Sequence, residues 1–363
     1  MSSVSSASSP QRVTLTHVAE HVGLAKTTVS DILNRGGAAR YSVDTCRRVH
    51  QAVQDLGYAP SRAAQQLARG RTAVVGLMLT RDFTNPYWAR LANAAQELLR
   101  AQGMSMRLEV CRAEDTDDLD RMRQFKSDGV EGLIVGPVYE TKDMQQHQAY
   151  FQGMLPTVIF GAELEGYDAV ADAHVASGRL AIAHLKELGH RRIGYLCAPD
   201  ADLDQASVSR YAGMRTEIQS DPHGGEVDQR WVLREPDVGD FMQYRAVAAA
   251  FARQWLDTPV EQRPTAMLCH NDQVAMASIA ALTQAGIRVP DDVSLIGFDN
   301  LPECEAVHPA ITSIDGHIDQ QMQRAIDLLL NRIKRPGKPS TYFSPPPTLV
   351  GRQSVCDLSV PST

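Results

Sequence analysis

Lys26, Thr27, Ser30 and Asp31 gather on or near one polar side of a short helical run, and all are types that hydrogen-bond base edges in a DNA groove. The opposite stripe holds Val29, Ile32 and Leu33, at the spacing that turns a helix face toward a core. Just upstream, Leu15, Val18, Ala19 and Val22 share one face of a first helix, and Gly23 supplies the left-handed position that ends it. Two short amphipathic helices about one tight turn are the design of a helix-turn-helix DNA reader. An ordinary αα-hairpin carries the same apolar pattern, so the rest of the chain must decide between them.

A second set of chemically capable residues sits at the ends of apolar runs that read as strands. Asn85, Tyr87 and Trp88 follow the run 73–79, Asn271 follows 265–270, and Asp299 follows 293–298. Aromatic faces against sugar C–H surfaces, with Asn and Asp on the hydroxyls, would make a carbohydrate site; Tyr87 and Trp88 would equally serve to pack their own helix. His184, His190 and His270 have no metal-ligand spacing and read as surface or strand-end residues, with Asp272 capping the helix after it. There is no G-x-S-x-G, P-loop or G-x-G-x-x-G, so the motifs of hydrolases and nucleotide enzymes are missing and no cofactor or metal is expected.

The elements that position these groups follow from texture. A chain of 363 residues calls for two or three domains, and 43% hydrophobic with 22% charged residues is ordinary for a soluble globular protein. No apolar run approaches the ~20 residues of a membrane helix. The Ser-rich start, residues 1–12, lacks an apolar signal region and reads as a disordered tail, which predicts a cytoplasmic protein. The six cysteines are scattered without a C-x-x-C pair, as expected of free, mostly buried thiols. Arg12, Lys26, Arg35, Arg40, Arg47, Arg48, Arg62 and Arg69 face only Glu20, Asp31, Asp44 and Asp55, so the first seventy residues are basic although the whole chain carries −7. Polyanion binding confined to one end fits that asymmetry.

Ser42 begins a third helix, which runs to about Leu56 before Gly57. Residues 61–70 offer only Ala63, Ala64, Leu67 and Ala68 as apolar surface, too little for a lone helix of that length. From Ala73 the chain alternates strands and helices in two successive arrays, including strands at 104–110, 130–136, 157–160, 192–197 and 230–233 and helices near 116–128 and 143–153. Near-continuous apolar strands spaced by helices imply parallel sheets covered on both faces, hence two doubly wound lobes with a ligand cleft beyond the strand ends.

Residues 13–34 (VTLTHVAEHVGLAKTTVSDILN) resemble the headpiece of the LacI/GalR family of transcription regulators, and 57–70 (GYAPSRAAQQLARG) resemble its hinge helix. NPYW (85–88), SRYAGM (209–214), HND (270–272), VPDDVSLIGFDN (289–300) and GRQS (351–354) resemble its regulatory core, so the likeness runs from about 13 to 355. It implies an all-α helix-turn-helix headpiece (13–58), a hinge helix (59–71) and an α/β, two-lobed, periplasmic-binding-protein-like core (72–363). Three crossings between lobes, near Asp172, Asp299 and Pro336, would give a first lobe of about 72–172 and 300–335 and a second of about 173–299 and 336–363.

The resemblance also assigns roles. Lys26, Thr27 and Asp31 match the base readers, which suit guanine, a thymine methyl or polar edge, and cytosine N4 in turn. Asp31 stands where many relatives have Arg, and Ala25 where a capping Ser is usual. Thr14, Thr28, Asn34 and Thr45 would contact the DNA backbone. Leu67, with Ala64 beside it, matches the leucine that wedges into the minor groove. Arg210, Asn271 and Asp299 match effector-binding positions, and Asn85, Tyr87, Trp88 and Phe241 complete the expected site. The expectation is therefore a homodimeric repressor of double-stranded operator DNA, not an enzyme, controlled by a small molecule that is a carbohydrate or derivative, with a purine as the alternative. A solute-binding receptor would share the lobes but carry an export signal and no basic headpiece.

Overall fold

The computed structural model describes residues 13–33, 40–58, 72–80, 83–111, 118–137, 154–199, 205–220, 228–235 and 241–360. It divides into two compact units, 1–72 and 73–363. The expected tail, the hinge helix with Ala64 and Leu67, Asn34 and the helix near 143–153 lie outside the described residues.

The first unit is built from α1 (Leu15–Val22), α2 (Lys26–Leu33) and α3 (Val43–Asp55). Gly23 takes φ 68° and its N–H reaches back to the carbonyl of Glu20, the left-handed stop that permits so short a link to α2. Val18, Val29 and Val49, one from each helix, are completely buried with Ala19, Val22, Ile32 and Ala52. Ser42 caps α3 by accepting from the Thr45 N–H at 3.2 Å. Arg48 ties α3 to α1 by donating to the Val22 carbonyl at 2.8 Å, satisfying an acceptor the end of α1 leaves open.

The second unit holds two six-stranded sheets. Its strands are β1 (Val74–Leu79), β2 (Ser105–Val110), β3 (Gly132–Gly136), β4 (Thr157–Phe160), β5 (Asp168–Val170), β6 (Ile193–Pro199), β7 (Val232–Glu235), β8 (Ala266–Cys269), β9 (Ser294–Phe298), β10 (Thr312–Asp315), β11 (Tyr342–Phe343) and β12 (Thr348–Val350). One sheet runs β11-β5-β4-β3-β1-β2, all parallel; the other runs β12-β10-β9-β8-β6-β7, parallel except for the β10–β12 pair. Helices α4 (Pro86–Ala101) and α10 (Ile318–Lys334) bury residues such as Leu91 and Ile326 on one face of the first sheet, and α5 (Asp118–Ser127) packs Met122 and Phe125 on the other. The second sheet is covered by α6 (His174–Glu187) and α7 (Gln205–Gln219) on one face, and by α8 (Phe241–Asp257) and α9 (Asp272–Gln284) on the other. The uninterrupted apolar strands thus have the two-sided burial they require.

The lobe boundaries move from their expected places. β10 pairs with β9, so the chain returns to the first lobe only after Asp315 rather than at 300. β11 still pairs with β5 and β12 with β10, so the last crossing falls between Phe343 and Thr348 rather than at Pro336. Strands of two to four residues carry too little sequence to announce which distant strand they will join. Strand β7 likewise begins later than expected, after a 3-10 turn over Gln229–Trp231. His190, read as a surface or strand-end residue, lies just before β6 and is completely buried: Nδ1 meets Thr265 Oγ1 at 3.0 Å and Nε2 meets the Cys356 carbonyl at 3.1 Å, fastening the C-terminal segment to the second lobe.

Candidate functional site

On the headpiece, Lys26 and Thr27 are exposed on the first turn of α2, while Thr28 and Asp31 are half-buried. Asp31 is already engaged. Its Oδ2 accepts from the Tyr41 hydroxyl at 3.2 Å and stands 3.5 Å from Arg40. An exposed pair of this kind is worth ~0–1 kcal/mol, so it orients Asp31 without removing it from reach of a ligand. Thr14 lies exposed before α1, its N–H donating to His17 Nδ1 at 3.3 Å. The Thr45 hydroxyl shares a 2.8 Å bond with Ser42 in the cap of α3.

In the core, strands end where the two lobes face each other, and buried polar groups collect there. Arg210 on α7 is 6% exposed. Its Nη1 donates to the His270 carbonyl, its Nη2 to Asp299 Oδ1 at 3.2 Å, and its guanidinium lies 4.7 Å from the centre of the Phe298 ring. Asp172, just beyond β5, accepts from the Tyr87 hydroxyl at 3.5 Å and from Gln321 of α10. Tyr87, Asp172, Ser177, Arg210, Phe298 and Asp299 help to wall one narrow cavity of about 10 Å³. It has room for about one water molecule, far less than a ligand site needs, so the lobes are drawn close together.

Three further expected residues are placed by the fold but occupied in other ways. Asn85 caps α4, accepting from the Tyr87 N–H at 2.9 Å. Trp88 packs edge-on against Tyr87, ring centres 4.8 Å apart, and joins the apolar core. Asn271, rather than Asp272, caps α9 by accepting from Val274 N–H at 2.9 Å, and its amide reaches the Tyr244 hydroxyl at 3.5 Å. Phe241 opens α8, but its side chain lies outside what is described. Asp272 is fully buried: its carboxylate accepts from Leu301 N–H and from the Ser313 hydroxyl, both at 2.7 Å, bracing the turn that carries Asp299.

Burial raises the proton affinity of this whole group. It pushes Asp272 up to about 6, against the pull of its hydrogen bonds and of Arg210. It lifts Asp299 well above the ordinary carboxylate range, with Arg210 opposing and Asp272 and Asp172 adding to the rise. Asp172 moves the same way for the same first cause. One guanidinium thus serves several buried carboxylates. Asp172 and Tyr244 were missed as site residues. For Asp172 a signal existed, since it follows β5 as Asp299 follows β9. Tyr244 sits inside a helix and gives no such sign.

Comparison with known proteins now decides the family. Residues 14–61 match the model for bacterial regulatory proteins of the lacI family, and 182–355 match a periplasmic binding protein-like domain. The HTH-type transcriptional repressor PurR of Photobacterium profundum is 32% identical over 349 residues, covering 95% of this chain and 99% of the relative. The chain belongs to the LacI family. The PurR of Mannheimia succiniciproducens is 31% identical over 356 residues, with 94% and 98% covered. The Lac repressor bound to ONPG in its repressed state shares the fold, with a TM-score of 0.74 at 24% identity over 95% of this chain and all of that one. This LacI-family chain is accordingly a DNA-binding transcription regulator of the repressor type, and its relatives are repressors rather than enzymes. Among the described residues no helix is long and apolar enough to cross a membrane.

Proposed function

We propose that the protein acts in the cytoplasm as a homodimer that places α2 of each headpiece in the major groove of a pseudo-palindromic operator. Two-fold symmetry in the protein calls for two half-sites in the DNA. Lys26 and Thr27 would meet base edges, with Asp31 held beside them by Arg40 and Tyr41. Thr14, Thr28, Asn34 and Thr45 would set register on phosphates, and Leu67 with Ala64 would wedge the minor groove. The effector would bind between the lobes, against Arg210, Asp299 and Tyr87, with Asn85, Trp88, Phe241 and Asn271 at its margins. The observation that carries this reading is the buried Arg210–Asp299 pair at the strand ends of the second sheet, in a chain whose other unit exposes Lys26 and Thr27 on the first turn of α2.

A carbohydrate or sugar derivative is the first choice of effector. Carboxylates that accept from hydroxyls and a tyrosine ring at the cleft suit a polyhydroxy compound. A purine is the second reading, because full-length relatives carry the name PurR. The test has two arms. Selection of duplexes from a random pool should enrich a pseudo-palindrome with the full chain and nothing with residues 73–363 alone. A thermal-shift panel of neutral sugars and free purine bases should yield a stabilising compound whose effect Arg210→Ala removes. Enrichment by the truncated chain, or a compound response untouched by Arg210→Ala, would overturn the respective assignment.

A further inference from the structure

Each second-lobe strand end that carries an effector-site residue is followed at once by a side chain or carbonyl bonded to the other lobe. After Asn271, Gln273 of α9 donates to the carbonyl of Thr84, the residue before Asn85. After Asp299, the carbonyl of Asn300 accepts from Arg90 Nη1 at 3.3 Å, and Arg90 lies on α4 less than a turn from Tyr87. The remaining groups of Asn300 are also engaged: N–H to Ser313 Oγ at 3.0 Å, Nδ2 to Asp315 Oδ2 at 3.0 Å, and Oδ1 to Arg352 Nη2 at 2.8 Å. Asp299 and Asn300 have φ of 98° and 48°, a conformation that side-chain-bearing residues adopt only when their surroundings hold them. Most of that hold comes from the second lobe. The Arg90 contact is the part contributed by the first.

We infer that Arg90, seconded by Gln273, is a positioning residue: it latches the lobes together at the Asp299–Asn300 turn and so sets the direction of the Asp299 carboxylate toward Arg210. This rests on the cleft being the effector site, as proposed above. Any ligand that spreads the lobes must stretch two bonds anchored beside its own contact residues. Strain there is felt by α4 and by the crossing segments directly. Arg90 also pairs with Asp319 at 2.9 Å, but Asp319 is 68% exposed and belongs to the first lobe, so that pair steadies Arg90 without joining the lobes.

Amide exchange read by mass spectrometry on the full-length protein separates the two roles. Arg90→Ala should speed exchange in peptides spanning 298–301 by about tenfold, as expected for the loss of one net hydrogen bond from a local opening equilibrium. Arg90→Lys, which keeps a donor, should restore most of the protection, and Asp319→Asn should leave it within twofold of the parent. Exchange in Arg90→Ala that stays within twofold of the parent, or an Asp319→Asn effect as large as that of Arg90→Ala, overturns the latch. The effector-site reading fails by a different signal, a compound response that survives Arg210→Ala, so the two failures cannot be confused.

Discussion

Gly178 and Gly213 let α6 and α7 cross at backbone distance, and adding one methyl group there should disturb the arginine of the cleft. A Cβ on Gly178 would stand 2.9 Å from the carbonyl carbon of Arg210 and 3.1 Å from the Met214 nitrogen, and closer still to the Arg210 oxygen. Comfortable carbon contacts begin near ~3.5 Å, so the helices must part by about 1 Å. Every neighbour named is backbone, so no flexible side chain can absorb the clash. Overpacking of this kind costs about 1–3 kcal/mol, and the upper end is expected here. Gly286→Ala makes the matched control: it has φ +75° but open space around its Cβ position, so only backbone strain of ~1 kcal/mol applies. Trp88, Trp231 and Trp255 all lie in the second unit, so tryptophan fluorescence during urea unfolding reports on the core alone. Gly178→Ala should lose about 3 kcal/mol and shift any ligand response that depends on Arg210. A Gly178→Ala loss no larger than that of Gly286→Ala would refute the crossing argument.

Three more expectations follow from local chemistry. His190 is held neutral by burial, its proton affinity below the ordinary histidine value of 6.5. The unfolded chain takes up a proton that the native site refuses, so this stability is intact above about 6.5 and drains away as pH falls below it. His190→Asn should therefore lose less between pH 7.5 and 5.5 than the parent, measured as urea midpoints; an equal loss would absolve His190. Ser42→Ala removes the α3 cap and should lower headpiece stability by ~1 kcal/mol in calorimetry, with an unchanged transition counting against the cap. Asp31→Asn removes an acid from the exposed face of α2 and should tighten binding to a random-sequence duplex at low salt, read by fluorescence anisotropy; weaker binding would mean that Asp31 mainly orients Arg40.

What the sequence disclosed was whatever periodicity and chain order could express. Val18 and Val29 announce two packed helices because each lies on an apolar stripe of local origin, and Ser42 and Gly57 bracket the third. The apolar runs of β1, β3 and β9 likewise declare strands buried on both faces. Assigning β10 and β11 to their sheets was beyond reach, since a two- to four-residue strand finds its partner through contacts far away in sequence. At the cleft, Arg210 and Asp299 were legible through family motifs and strand ends. Asp172 offered the same strand-end sign but went unread, whereas Gln321 and Arg90 offered none, because their importance comes from a meeting of lobes that no local pattern encodes. Asn271 shows the opposite difficulty: a residue marked for ligand already has a structural duty as a helix cap.

The late crossings have a bearing on how the protein is made. On the ribosome, the headpiece is complete long before the lobes, and domains close as their last piece emerges. Here the last pieces are β11 for one sheet and β12 for the other, contributed by residues 342–343 and 348–350. Both halves of the sensor therefore wait until residue 350 has emerged, and a chain stopped before that point carries a finished DNA-reading head on an unfinished sensor.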